Sequence, residues 1–143
     1  MPTHAERRIS SHTSEQMFDL VANVECYPEF LPWCIGADIR YRDNDLLLAD
    51  LKIGFGPFVE TFGSKVQLYK PEKIIVTYDR GPLKYLSNQW KFIPQEQGCL
   101  IDFFVDFEFR SKLMQAAMGL VFSEAVKKMV SAFEKRADIC YKI

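Results

Sequence analysis

The run Leu100-Ile-Asp-Phe-Phe-Val-Asp-Phe-Glu-Phe109 alternates along its whole length. Ile101, Phe103, Val105, Phe107 and Phe109 project to one side and Asp102, Asp106 and Glu108 to the other, the period of a strand with one dry and one wet face. Ser111 then caps a helical run reaching to about Ala137, with no proline and only Gly119 inside it. At 1.5 Å per residue that helix spans roughly 40 Å, enough to cross a whole sheet. A strand with a phenylalanine face leading into such a helix implies that the helix covers the face.

The preceding chain supplies the rest of the sheet. Residues 3 to 10 read as a short first strand. Ser14 opens an amphipathic helix of about ten residues, with Met17, Phe18, Val21 and Ala22 on one stripe and Thr13 or Ser14 as its cap. Ile35 to Arg42, Leu46 to Phe55 and Phe58 to Tyr69 read as strands, joined by the turns Asp43-Asn-Asp45 and Gly54-Phe-Gly-Pro57. Phe58, Phe62, Val66 and Leu68 share one phase. Ile74, Val76 and Tyr78 alternate in the next strand, and Leu86, Asn88, Trp90 and Phe92 in the one after it. The expected fold class is α+β: one domain over residues 1–143, with a curved antiparallel sheet of about seven strands around a long C-terminal helix and two short helices after the first strand.

Composition narrows the function classes. Of 143 residues, 48% are hydrophobic and 14% aromatic, 12 of them phenylalanine, and the space between sheet and helix is where these belong. A formal net charge of -1 gives no electrostatic reason to expect DNA binding. Cys26, Cys34, Cys99 and Cys140 form no C-x-x-C pair, so they read as small buried hydrophobes or reduced thiols, and no metal is expected. The N-terminal residues run into alternation rather than an apolar signal core, so the expectation is that they stay in the fold.

Cys26-Tyr-Pro-Glu-Phe-Leu-Pro-Trp-Cys34 spends much apolar surface on a connection. Its prolines exclude a long helix or a central strand. It reads as a stiff lid over one end of an apolar groove or as a plug completing the core, and the two are compatible. If the strand phases hold, Phe55, Phe58, Phe62, Tyr78, Trp90, Phe107, Met114 and Met118 are available as groove walls, with Tyr27, Phe30 and Trp33 in the lid. Val121 and Phe122 belong to the early part of the final helix, which is apolar around most of its circumference from Leu113 to Phe122. One sheet needs only one stripe, so the surplus suits a gate, a membrane-contact patch or a dimer interface; it is too short for a transmembrane span. The Tyr27 hydroxyl, Asn88 and the Trp33 indole N–H are candidates to orient a polar head group.

Catalytic candidates are poor. Asp102, Asp106 and Glu108 lie opposite the phenylalanines, the place of a solvated charge ladder. No Ser-His-acid arrangement is evident, and Gly54-Phe-Gly56 lacks the strand-to-helix context of a phosphate loop.

Tyr27-Pro-Glu-Phe-Leu-Pro-Trp-Cys34 resembles the signature of the coenzyme Q-binding START-domain family, within the polyketide cyclase/dehydrase-like helix-grip superfamily. Gly54-Phe55, Glu60-Thr-Phe-Gly-Ser-Lys-Val66, Gly81-Pro-Leu-Lys84, Asn88-Gln-Trp-Lys-Phe92 and Phe107-Glu-Phe-Arg-Ser-Lys-Leu113 extend the resemblance, in order, along almost the entire chain. The resemblance implies a START-like fold and a non-enzymatic protein that holds ubiquinone or a related polyprenyl lipid, supports respiratory electron transport and carries no covalent cofactor. Transient contact with a membrane surface is expected, and the N-terminal residues, which do not read as a transit-like leader, favour a bacterial cytoplasm beside the inner membrane, with the mitochondrial matrix side as the alternative. The same family includes ribosome-associating, toxin-like proteins, which makes the ribosome an alternative partner. That reading requires a positive surface, and Arg7, Arg8, Arg40, Arg42, Lys52, Lys127, Lys128, Lys135 and Arg136 all have acidic neighbours. A cyclase or hydrolase acting inside the cavity is the third reading.

Overall fold

The computed structural model describes residues 3–31, 33–55, 57–119 and 122–141; the side chains at 55, 58, 118, 122 and 123 lie outside that description. Seven strands, β1 (Thr3–Ser10), β2 (Cys34–Arg42), β3 (Leu46–Phe55), β4 (Phe58–Tyr69), β5 (Lys73–Arg80), β6 (Leu83–Gln95) and β7 (Gly98–Phe109), form one antiparallel sheet. Their order is β1-β7-β6-β5-β4-β3-β2, so β1 and β2 are the edges. The helices are α1 (Ser14–Ala22), α2 (Lys112–Gly119) and α3 (Phe122–Cys140), and Val24–Glu29 is a 3₁₀ segment. The final helix expected from Ser111 to Ala137 corresponds to α2 and α3, and Leu120 and Val121 between them lie outside the described residues.

Local chemistry accounts for the boundaries. Thr13 caps α1 in a reciprocal box: its hydroxyl accepts from the Gln16 amide at 3.1 Å, and the Gln16 side chain accepts from the Thr13 amide at 3.0 Å. Pro28 sits inside the 3₁₀ segment, where a longer α-helix would not tolerate it. The β6–β7 hairpin needs glycine at 98, where φ is +127° and a side chain would collide with the Ser10 carbonyl.

Burial follows the alternation: Ile101, Phe103 and Val105 are buried while Asp102 and Phe104 between them are half-exposed. The densest part of the core joins α1, α3 and the middle of β5, β6 and β7 through Met17, Val21, Ile74, Phe92, Phe103, Val130 and Phe133, each at most 2% exposed. Trp90 stands at its centre, edge-on to Phe103 at 4.6 Å and to Phe133 at 5.1 Å.

Both sheet edges are tied to α3. On β1, Arg8 pairs with Glu6 and reaches Ser131 at 3.1 Å and Glu134 at 3.3 Å, while His12 lies 2.7 Å from Asp138. On the β2 side, Tyr27 and Phe30 pack edge-on against Phe133 at 5.3 and 5.1 Å, and Arg136 pairs with Glu29 at 2.6 Å.

Candidate functional site

Burial fades along β7 toward its C-terminal end. Phe107 and Phe109 share the inward phase of Ile101 and Phe103 yet are only half-buried. The reason is a cavity of about 260 Å³ between the sheet and the helices, partly open to the surface. Its floor is Ile74, Trp90, Phe103 and Phe133, all buried. Its opposite end is formed by Trp33, Glu60, Phe62, Pro82, Phe109 and Met114, all half-buried, which marks that end as the mouth. The mouth lies where β2, β4 and β6 begin and β3, β5 and β7 end.

Of the residues anticipated as walls or lid, Tyr27, Trp33, Phe62, Asn88, Trp90, Phe107 and Met114 line this cavity. Two others stand elsewhere. Tyr78 lies beside the register shift between Gly63 and Ser64, and its hydroxyl accepts from the Leu83 amide at 3.1 Å, which ties down the β5–β6 turn. Phe30 packs on the flank of α3, between Phe133 and the Arg136 guanidinium at 5.2 Å, so it seals the grip rather than facing its interior. The side chains of Phe55, Phe58, Met118 and Phe122, and Val121 entirely, lie outside the described residues.

The polar inventory also differs from the anticipated one. The Tyr27 hydroxyl donates to the Val21 carbonyl and so anchors the 3₁₀ segment on α1 instead of awaiting a ligand; burial pushes its pKa up. Asn88 donates to the Phe104 carbonyl at 2.8 Å. Glu60 and Ser64, not anticipated as site residues, also line the cavity, and neither has a hydrogen-bonding or ionic partner among the described residues. A signal for them was present: both share the β4 phase of Phe62 and Val66. Leu83, Leu86, Val126 and Met129 are among the further apolar residues of the wall.

The carboxylates of the β7 outer face are occupied with surface partners. Asp106 accepts from Thr3 at 3.0 Å and Tyr85 at 3.2 Å, Glu108 pairs with Lys84 at 3.0 Å, and Arg7 lies 3.7 Å from Asp102. Burial pushes the Cys34 and Cys99 thiols up, as for small hydrophobes, whereas Cys140 is exposed.

A seven-stranded sheet gripping a C-terminal helix around an apolar cavity is a recurrent architecture, and the sequence matches one family of it: residues 10–134 fit the family described as "Polyketide cyclase / dehydrase and lipid transport". The chain belongs to this family. It is 36% identical over 142 residues to the ribosome association toxin RatA of Escherichia coli, covering 99% of this chain and 90% of that one. It is 34% identical over 143 residues to coenzyme Q-binding protein COQ10 homolog B, mitochondrial, of Xenopus laevis, covering 96% of this chain and 59% of that relative. The solution structure of an 18 kDa protein from Caulobacter crescentus superposes with a TM-score of 0.79 at 30% identity, over the full length of both chains. Family membership and the sheet-and-helix architecture thus agree with the START-like fold expected from the motifs.

Proposed function

We propose that this protein binds and chaperones ubiquinone or a related prenylated lipid in the cavity, in support of respiratory electron transport. The observation that carries the reading is the cavity itself: a core otherwise close-packed leaves about 260 Å³ unfilled and lines it almost wholly with apolar side chains. Side chains lining such a space forgo the packing contacts that a close-packed interior would give them. A sequence rich in phenylalanine had the means to fill it.

Beside the mouth, Ile35 and Val59 on the outer face of the sheet and Leu113 on α2 are 53%, 54% and 73% exposed. Those side chains suit transient contact with a bilayer surface, and among the described residues no helix is long and apolar enough to cross a membrane. The family description includes lipid transport, and one relative is named as a coenzyme Q-binding protein. A bacterial cytoplasm beside the inner membrane is the proposed location, with the matrix side of a mitochondrion as the counterpart suggested by that relative.

The decisive experiment identifies lipid that copurifies with the native protein and with Val76→Phe, which fills the cavity from the β5 wall. A prenylated lipid present in the first and absent from a folded Val76→Phe is expected; equal retention by both sinks the reading.

Ribosome association is the second reading, favoured by the similarity to RatA over nearly all of both chains. Of the cations anticipated for a phosphate-binding face, Arg8, Arg40, Arg42 and Arg136 are paired with carboxylates, whereas Lys52, Lys127, Lys128 and Lys135 have no ion pair among the described residues. Co-sedimentation with ribosomes that weakens steeply with salt supports this reading. Chemistry inside the cavity is the third, and turnover of an aromatic polyketide or ester by native protein, lost in Val76→Phe, is its signature.

A further inference from the structure

The reading of the cavity as a prenyl-lipid site leaves open which oxidation state it holds, and the polar atoms of the wall bear on that. Glu60, Phe62, Ser64 and Val66 share the inner face of β4, so an apolar wall is interrupted at the mouth by a carboxylate and, about 13 Å further in at 3.3 Å per residue, by a hydroxyl. Ser64 is 2% exposed, and its hydroxyl has no partner among the described residues. Asn88 commits an amide hydrogen to Phe104, and the Tyr27 hydroxyl is committed to Val21. What remains for a ligand includes donors, the Trp33 indole N–H and the second Asn88 amide hydrogen, and the Ser64 hydroxyl, which donates or accepts, but the one charged group among the described lining residues is the Glu60 carboxylate, which can only accept.

A quinone and its hydroquinone have nearly the same shape and differ in this respect. The quinone oxygens only accept, so one set against Glu60 opposes lone pair to lone pair and strips water from a charge without replacing its hydrogen bond. A hydroquinone hydroxyl donates to the same carboxylate in a charge-assisted bond. A prenyl tail laid along Glu60 would desolvate it with no compensation, so the ring and not the tail belongs beside it. We propose that Glu60 makes this cavity select the reduced, hydroxyl-bearing form of a prenylated quinone over the oxidised form.

The test titrates native protein by calorimetry, under anaerobic conditions, with three probes: a benzoquinone carrying one isoprene unit, which nearly matches its hydroquinone in shape, that hydroquinone, and the hydroquinone dimethyl ether, which keeps the aromatic ring and replaces each donor hydrogen with a methyl group. The hydroquinone is expected to bind at least about tenfold more tightly than either of the others. In Glu60→Gln, whose amide both donates and accepts, the preference is expected to shrink to about twofold or to invert. Equal binding of the three probes by native protein, or a preference that persists in a folded Glu60→Gln, overturns the proposal and leaves the lipid-site reading intact. Failure of native protein to bind any probe overturns both. Should Glu60→Gln not fold, the three-probe comparison on native protein decides alone.

Discussion

Gly63 lies beneath a lattice of charges on the outer face of the sheet. Arg40 reaches Asp50 at 2.9 Å and Asp79 at 2.6 Å, and Arg80 reaches Asp50 at 2.7 Å, so the lattice spans β2 to β5. A Cβ at 63 would stand 2.9 Å from Arg80 Cγ, 3.0 Å from Asp50 Oδ1 and 3.1 Å from an Arg40 nitrogen. Gly63→Val is therefore expected to lower stability by about 1 kcal/mol, read as a fall in urea midpoint, without altering ligand retention on the opposite face. A midpoint equal to or above the native one would show that the lattice yields freely.

Two carboxylates make stability pH-dependent. Burial raises the pKa of Glu6, but hydrogen bonds from His4 and Arg8 outweigh it and hold it below the ordinary 4.5. Burial likewise raises that of Asp50, and Arg80 and Arg40 bring it below the ordinary 3.8. A depressed carboxylate stabilises the fold above its unfolded value, and the contribution disappears as pH falls through the folded one. Acid lability is thus expected below about pH 4.5. In urea melts between about pH 6 and pH 3, Glu6→Gln and Asp50→Asn are each expected to flatten the fall. Melts as steep as the native ones would remove these two groups from the account.

Among the elements, α3 is the one the rest close upon. One sheet edge reaches it through Arg8, which touches Ser131 and Glu134, and the other through the 3₁₀ segment, whose Tyr27 and Phe30 bracket Phe133. The aromatic connection is thus both seal and wall: Phe30 closes the seam while Tyr27 and Leu31 face the cavity. Phe30→Ala is expected to cost about 2 kcal/mol. Hydrogen exchange should quicken in residues 24–31 while the amides of β6 and β7 stay protected, because the seam can open without the sheet unfolding. Uniform acceleration throughout the chain would contradict a separable seam.

For the fold as a unit, the central tension is between packing and vacancy. Trp90 belongs to both, touching Phe92, Phe103 and Phe133 while facing the cavity. Trp90→Ala is accordingly expected to lose about 3–5 kcal/mol, a folding defect in thermal or urea denaturation that would obscure any effect on ligand. Val76→Phe separates the two roles because it adds volume to the cavity and removes none from the core.

Much of this was legible in the residues. Alternation from Leu100 to Phe109 set the inward face of β7, and parity placed Phe62, Asn88 and Trp90 inward, because side-chain direction in a strand is a local property with a period of two. The same parity covered Glu60 and Ser64, but a search for apolar walls passes over a carboxylate and a hydroxyl. Tyr78 had the correct parity too, and the irregular register between β4 and β5 turned its hydroxyl to the neighbouring turn. The fate of the Tyr27 hydroxyl depended on α1 ending where the Val21 carbonyl could meet it.

Periodicity, capping and turn residues therefore specified the elements, their order and the faces they bury, since each of these depends on neighbours a few positions away. The separation between sheet and helix did not follow from them. It arises from contacts between positions more than a hundred residues apart, Arg8 with Glu134 and Glu29 with Arg136, together with the curl of the sheet between those two ties. That separation decides whether the phenylalanines of β7 meet α3 or stop short of it, and hence whether the interior is solid or holds a space lined by Glu60 and Ser64.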